Sequence, residues 1–552
     1  MKEKRSSLIC FFIGAIIGFI CFIFVYGWLV INPKYDDWLF IGGDLTQHYA
    51  GWLFFRDSDW SFPFGMIKGL STEPVSIIYT DSIPMFAVIF KILSPILPEK
   101  FQYFGVWGAV CLFLQGGFAT LIVKKYVKNY FFIFMSTIFI SISTVTFQRM
   151  FGHTALAGNW IILMSICVCV NHEKFESLIK KIIIWSIVVA ISVSVHQYYV
   201  VMTYIFIACF LLIYFLKNKS IKAILNSILV LAISAIIGLF ILFLYGAFEG
   251  EGTLSTGGLG QFSANVNTLF NSSFEEASFF TKPLPVISHF QGEGFGYLGL
   301  GMILLSVLVL IFSAIYFVKQ KNKKKFVKEN IFRILPYFIV FVVAFALAIS
   351  PTITFFDKVI FEIKYPFLVT KALGIFRASG RFIWINYYLI YVFAIVMIYR
   401  LFKNKKIPVI ILSLCLCLNL ADLHVWLGNI YKRFSTEVGY ESALKDEKWA
   451  KWGGEKENIV FLPIEGNYLE KSDMYYLFAE YANRTDMTLS SFCVARADFG
   501  VFKNYADTKL NDINNGIISE DDIYIFTNDE FIPKVDGLSV YELDGYKVGV
   551  KK

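Results

Sequence analysis

Apolar residues in this chain come in long runs broken by short polar connectors, a pattern with neither the one-sided stripe of a surface helix nor the alternation of a half-buried strand. Runs at about 8–31, 102–123, 130–147, 156–170, 182–195, 198–216, 221–246, 296–318, 332–350, 382–401 and 407–426 predict helices that are apolar all round, as membrane spans are. Residues 82–97 form a shorter run interrupted by Pro84, Lys91 and Pro95, which predicts a piece that dips into a membrane surface without crossing. On that reading about 11 segments cross. The connectors Lys124–Lys128, Lys174–Lys181, Lys217–Lys222, Lys319–Lys328 and Lys403–Lys406 then share one side. Lys2, Lys4 and Arg5 precede the first run, so the positive-inside rule makes that side, and the N-terminus, cytoplasmic. The first run is longer than a signal-peptide core and no small-x-small site follows, so it is expected to stay as a span.

The pattern changes near residue 428. From there to 552, short apolar runs (IVFLPI, MTLSSFCVA, DIYIFTN, GLSVYEL and YKVGV) predict strands, and 472–484 and 505–520 predict helices, giving a compact extracytoplasmic α/β domain. The expected organisation is a polytopic α-helical domain over 1–427 and this α/β domain over 428–552. Two large loops would lie outside, 32–101 with amphipathic or re-entrant pieces and 247–295, the second with a Gly/Ser/Thr-rich stretch at 250–263 that suits a lid.

Composition agrees with a multi-pass membrane protein: 57% of the 552 residues are hydrophobic and 17% charged. The net charge of +8 resides largely in the lysine connectors, so it is no nucleic-acid footprint, and no nucleic-acid partner is expected. Eight of the nine cysteines, all but Cys493, sit in apolar runs, which excludes a disulfide framework. There is no Walker-type glycine loop, so no nucleotide cofactor is expected.

The polar groups that depart from the apolar background gather on the predicted outer side. The stretch Gly42–Asp81 carries Asp44, His48, Arg56, Asp57, Asp59 and Asp81 among Trp52 and Trp60, a mixture suited to a membrane–water boundary. Asp44 follows two glycines that permit a sharp turn; its carboxylate could serve as a general base or as one ligand of a divalent cation. His48, four residues on, could share its face, and Asp81 reads as a second acid or a helix cap. Other members of this outer set are Arg149 and His153, His196 with Gln197 and Tyr198, Glu249 and Glu251, and Glu293. Arg377 and Arg381, four apart, would project from one helical face and suit a phosphate, or else pair with acids such as Asp357 or Glu362. Ionisable groups at membrane depth tend to face a cavity or one another, so a shared vestibule is expected.

The first outer loop with its Asp, the surface pieces after it, the many spans and the outer C-terminal domain resemble the GT-C class of membrane glycosyltransferases. The strings GGDLTQHYAGWLFFR, TDSIP, FQYFGVWGAVCLFLQG, QGEGFGYLG and FRASGRF further resemble an uncharacterised bacterial membrane family, a domain of unknown function of that class. The resemblance implies an inverting transfer of sugar from a polyprenyl-phosphate donor to a cell-surface glycan or lipid acceptor, at the outer face of the bacterial cytoplasmic membrane. Asp44, with Asp81 and His48, would be catalytic; Arg377 and Arg381 would hold the lipid phosphate. Arg56, Trp52, Trp60, His153, His196 and Glu293 complete the candidate substrate contacts. One departure is that Leu45, not a second acid, follows Asp44. The other classes that suit the layout are a transporter or flippase for a lipid-linked or anionic substrate, and a non-catalytic envelope scaffold.

Overall fold

The structure is a computed structural model that describes residues 2–249, 258–466, 468–495 and 499–552. Among the described residues ten helices are long and apolar enough to cross a membrane. They are Arg5–Tyr26, Phe104–Lys124, Tyr130–Arg149, Leu178–Val195, Gln197–Asn218, Ile221–Leu244, Leu300–Val318, Lys323–Ile349, Ser379–Leu401 and Lys406–Ser435. The expected span at 156–170 departs from this length: it is α-helical only over Trp160–Val170, and all 11 of those residues are buried. At 1.5 Å per residue such a helix reaches only about 16 Å. Its apolar character is that of a core helix, which a hydropathy run does not distinguish from a span. Its flanks still lie beside the two ends of Phe104–Lys124, through Trp107 Nε1 donating to the Thr154 carbonyl and an ion pair between Lys125 and Glu173.

The basic connectors converge on one end of the bundle. Lys124 donates to Ser6, Lys125 pairs with Glu173, Lys217 pairs with Glu176, Lys219 lies over the Phe332 ring and Arg400 over the Tyr126 ring. Residues 82–97 stay at the opposite end. The helix Pro84–Leu93 is preceded by Ser82, which donates to the His48 carbonyl, and is followed by Pro98 and Glu99, whose carbonyls accept from Arg56. Both ends are thus pinned to the helix Gly43–Asp57, and the outer face of this short piece exposes Ile89, Ile92 and Ile96. Close packing of the first helix comes from small residues: a Cβ on Gly18 would lie 2.0 Å from the Leu112 carbonyl oxygen, so only glycine permits this approach to Phe104–Lys124.

The C-terminal region is an α/β unit with a five-stranded sheet in the order Thr488–Leu489, Asn458–Leu462, Asp522–Phe526, Tyr546–Lys551, Leu538–Leu543. The first three strands are parallel and the last two complete an antiparallel hairpin. Helices span Ser472–Arg484 and Phe499–Asn514; the second starts before the expected 505, and it stops before 520 where Gly516, at φ +82°, turns the chain out of the helix. The segment MTLSSFCVA contributes only two residues to the sheet. Its remaining backbone pairs with the first loop: Leu489 N–H donates to Gly69 O, Thr72 N–H to Ser490 O and Ala495 N–H to Tyr79 O. The helix Ser472–Arg484 packs on Gly43–Asp57, with Asn483 donating to Asp57. The C-terminal unit is therefore built onto the loop that carries Asp44. Glu251 and positions 250–257 of the expected lid lie outside the described residues.

Candidate functional site

Asp44 occupies the first turn of Gly43–Asp57. Gly42 and Gly43 have φ of +94° and +67°, a left-handed pair that lets the chain leave the turn Asp37–Phe40 and enter the helix at once. Thr46 locks this corner, accepting from Gly42 N–H and donating to Leu39 O. The Asp44 side chain remains 46% exposed, while its partner His153 is more enclosed.

His153 follows a break in the helix Tyr130–Arg149. The α-helix stops at Ser141 and restarts at Thr144, where Ser143 and Thr144 are held by the hydroxyls of Tyr388 and Tyr387. The re-aimed end carries Arg149 and then His153 into the site. His153 Nδ1 is 3.0 Å from Asp44 Oδ2 and Nε2 is 3.5 Å from Glu293 Oε1. With a carboxylate at each ring nitrogen, the ring is suited by the doubly protonated imidazolium. Glu293 is gripped from two more sides: Arg149 Nη1 reaches Oε1 at 3.0 Å, Arg149 Nη2 reaches Oε2 at 3.0 Å, and Arg381 reaches Oε2 through Nε at 2.8 Å and Nη2 at 2.7 Å. The glycines of QGEGFG and FRASGRF explain the approach. A Cβ on Gly380 would lie 2.7 Å from the Gly294 Cα, so these two backbones touch and bring Arg381 against Glu293.

These contacts set the charges. Burial would raise the Glu293 carboxyl, but Arg381, Arg149 and His153 outweigh it and hold it well below the usual range. Burial opposes the His153 imidazolium, yet hydrogen bonds to Asp44 and Glu293 raise its pKa above the ordinary value. Asp44 is likewise lowered: the His153 hydrogen bond and charge overcome its desolvation. The chain Asp44–His153–Glu293 with Arg149 and Arg381 is thus an ionic relay, reaching water at the Asp44 end.

A second acid–imidazole pair stands beside it. Asp81 Oδ1 is 3.4 Å from His196 Nε2, and His196 Nδ1 accepts the Tyr198 N–H, so the neutral ring carries its proton on Nε2, facing Asp81. Burial keeps His196 neutral and pushes the Asp81 carboxyl up to about 6. Asp81 at φ +54° and Ile83 at φ +53° are both left-handed without being glycine, a strained turn of the kind stored at functional sites. His48 is buried, its Nδ1 has no hydrogen-bond partner among the described residues, and burial holds its imidazole down to about 3.

The structure does not gather every predicted site residue here. Arg377 and Arg381 are not a two-fork pair on one helical face: the helix Phe367–Gly374 ends before Arg377 and the next turn starts at Ser379. Arg381 is committed to Glu293, whereas Arg377 is exposed and lies over the Phe262 ring at 5.1 Å. Arg56 is a structural clamp on the carbonyls of Pro98 and Glu99. Trp52 is fully buried and donates to Phe101 O, so its ring is core and offers no face to a sugar. Trp60 is exposed on the surface with Phe62 and Phe64, over the buried Lys91. Asp59 lies at the exposed end of that loop. Among the described residues no group of three or more His, Cys, Asp and Glu side chains could hold a metal ion, so the cation expectation for Asp44 finds no donor set. Arg149 was visible in sequence as an isolated charge ending an apolar run, but its partner lies 144 residues away.

The family model for a domain of unknown function, DUF6311, matches residues 15–424, and the model for the DUF6311 C-terminal domain matches residues 448–551. No curated protein matches the chain. The first match covers the helical bundle and every residue of the ionic relay, and the second covers the α/β unit, so this chain belongs to the DUF6311 family.

Proposed function

We propose that this protein is a multi-pass membrane glycosyltransferase of the GT-C type, moving a sugar from a polyprenyl-phosphate donor to a glycan or lipid acceptor at the outer face of the cytoplasmic membrane. The observation that carries the reading is the half-exposed Asp44 carboxylate at the solvent end of a buried relay, opposite the basic end of the bundle and beneath the α/β unit. By the positive-inside rule the basic end is cytoplasmic, which turns Asp44 outward. There it accepts the proton of an acceptor hydroxyl as the hydroxyl oxygen bonds to the anomeric carbon. The bond to the lipid phosphate breaks with its electron pair going to the phosphate, and the centre inverts. His153 holds Asp44 ionised and aimed, Glu293 orients His153, and the two buried arginines hold Glu293. With Arg381 so engaged, Arg377, which lies over the Phe262 ring and meets no carboxylate among the described residues, is the cation assigned to the leaving phosphate. His196 and Asp81 offer a donor and an acid for sugar hydroxyls.

The test compares cells expressing the wild type or Asp44→Asn at matched membrane levels, reading surface glycans and lipid-linked sugars by mass spectrometry. Loss of one sugar substituent with accumulation of its lipid-linked donor is expected for the variant. Unchanged glycans at equal expression would overturn the transferase reading in favour of transport or a scaffold.

A further inference from the structure

The basic end of the bundle carries a feature that the transferase reading does not use. Between the first helix and the helical segment Tyr130–Ser141 lies a groove of about 460 Å³ lined by Arg5, Ser6 and Tyr130 near the starts of the two helices and by Ile9, Cys10, Ile13 and Phe134 further along them. Two neighbours extend the cationic rim: Lys124 donates through Nζ to Ser6 Oγ, and Lys128 is exposed in the connector two residues before Tyr130. Among the described residues neither Arg5 nor Lys124 is in an ion pair with a carboxylate, although Lys125 nearby is paired with Glu173. The groove is open sideways, beside the exposed Leu8, Phe12 and Ile16 of the same helix.

We propose that this groove binds one anionic phospholipid, with an acyl chain along Ile9, Ile13 and Phe134 and its phosphate at Arg5, Lys124 and the Tyr130 hydroxyl. An apolar slot whose cations at one end meet no carboxylate among the described residues matches that molecule's own division into chain and headgroup. A zwitterionic lipid fills the slot equally well but gains less at the rim. A helix from a second copy or another protein could also cover the apolar wall, yet it would leave Arg5 and Lys124 without an anion. The inference rests on the membrane reading and is independent of the glycosyl-transfer chemistry at the other end.

The experiment reconstitutes the full chain in phosphatidylcholine vesicles with or without phosphatidylglycerol, confirms insertion by flotation, and counts retained lipids by native mass spectrometry after mild detergent release. Preferential retention of one phosphatidylglycerol by the wild type is expected. Arg5→Gln and Lys124→Gln should each lower that preference about fivefold, the factor for one cation near a charged surface. Ile13→Trp, which fills the slot, should lower retention of both lipids. Equal retention of the two lipids by the wild type overturns the proposal, as does an undiminished preference in both charge variants or a dimer mass in place of a lipid adduct. Failure to float overturns it together with the membrane reading, whereas a change in glycans without change in lipid retention leaves it standing.

Discussion

Replacing Glu293 with Gln removes the negative charge on which the relay closes. The carboxylate receives contacts from Arg149 at 3.0 Å and from Arg381 at 2.7 and 2.8 Å, and the Arg149 side chain is only 3% exposed. An amide keeps one acceptor oxygen but turns an NH₂ group towards guanidinium donors, leaving two buried cations facing His153. Breaking a buried ion pair from one side costs about 3–5 kcal/mol, because the partner charge stays buried and unpaired. Equilibrium unfolding in mixed SDS micelles should show a loss of that size for Glu293→Gln. Removing a cation as well, in Glu293→Gln with Arg149→Met, should recover part of it, with a coupling of about 1–3 kcal/mol. The sign with pH is also determined. Glu293 has a depressed folded-state pKa, so its contribution is present above its unfolded value and is lost only as pH falls through the much lower folded value. Glu293 itself adds no pH dependence between neutral pH and about pH 5.5, but its hydrogen bond helps raise the His153 pKa, so the gap between wild type and variant should widen as pH falls across that window. A loss below about 1 kcal/mol, or strictly additive effects in the double variant, would refute the relay as the organising feature of this end of the bundle.

Asp81 should behave in the opposite sense. Its pKa is raised from 3.8 to about 6, so its contribution is full below the unfolded value and is lost as pH rises through about 6. A shift of about two units corresponds to about 3 kcal/mol, which partial exposure of the side chain lowers to about 2 kcal/mol. Asp81→Asn should abolish that decline in an unfolding series across the window. Asp422 is fully buried and accepts from Ser278 Oγ at 2.5 Å, Tyr297 OH at 2.7 Å and Leu300 N–H at 2.9 Å, tying the loop before Leu300–Val318 to Lys406–Ser435. Asp422→Asn should cost about 3 kcal/mol in the same assay while leaving the distribution of lipid-linked sugars in cells normal at matched protein levels.

Much of this architecture was legible in the chain because hydrophobic transfer acts locally. A run of apolar residues long enough to cross a bilayer is apolar whatever surrounds it, so ten of the expected helices have the necessary length and composition. The clustering of lysines in connectors likewise implied one shared end, and their contacts are at one end. The run at 156–170 exposed the limit of that argument, since burial inside a bundle and burial in lipid call for the same residues. Trp52 shows the same limit: an aromatic in a polar loop could face a sugar, lipid or core, and only packing against Phe101 and Tyr103 decided for the core.

Sequence by itself determined the helical class, the α/β tail and the set of ionisable residues worth attention, because periodicity and composition are properties of neighbouring positions. Tertiary structure decided which of those residues meet. Glu293, His153, Asp44 and Arg381 lie on four separate stretches of chain, and their pairing depends on the broken helix before Arg149 and on the Gly294–Gly380 backbone contact. The spacing rule that put Arg377 beside Arg381 failed because it assumed a continuous α-helix, whereas Arg377 and Ala378 are outside any helix and only a 3-10 turn starts at Ser379. Charges are long-range and unspecific along a sequence; they acquire partners only when folding brings them within a few ångströms in a place that water has left.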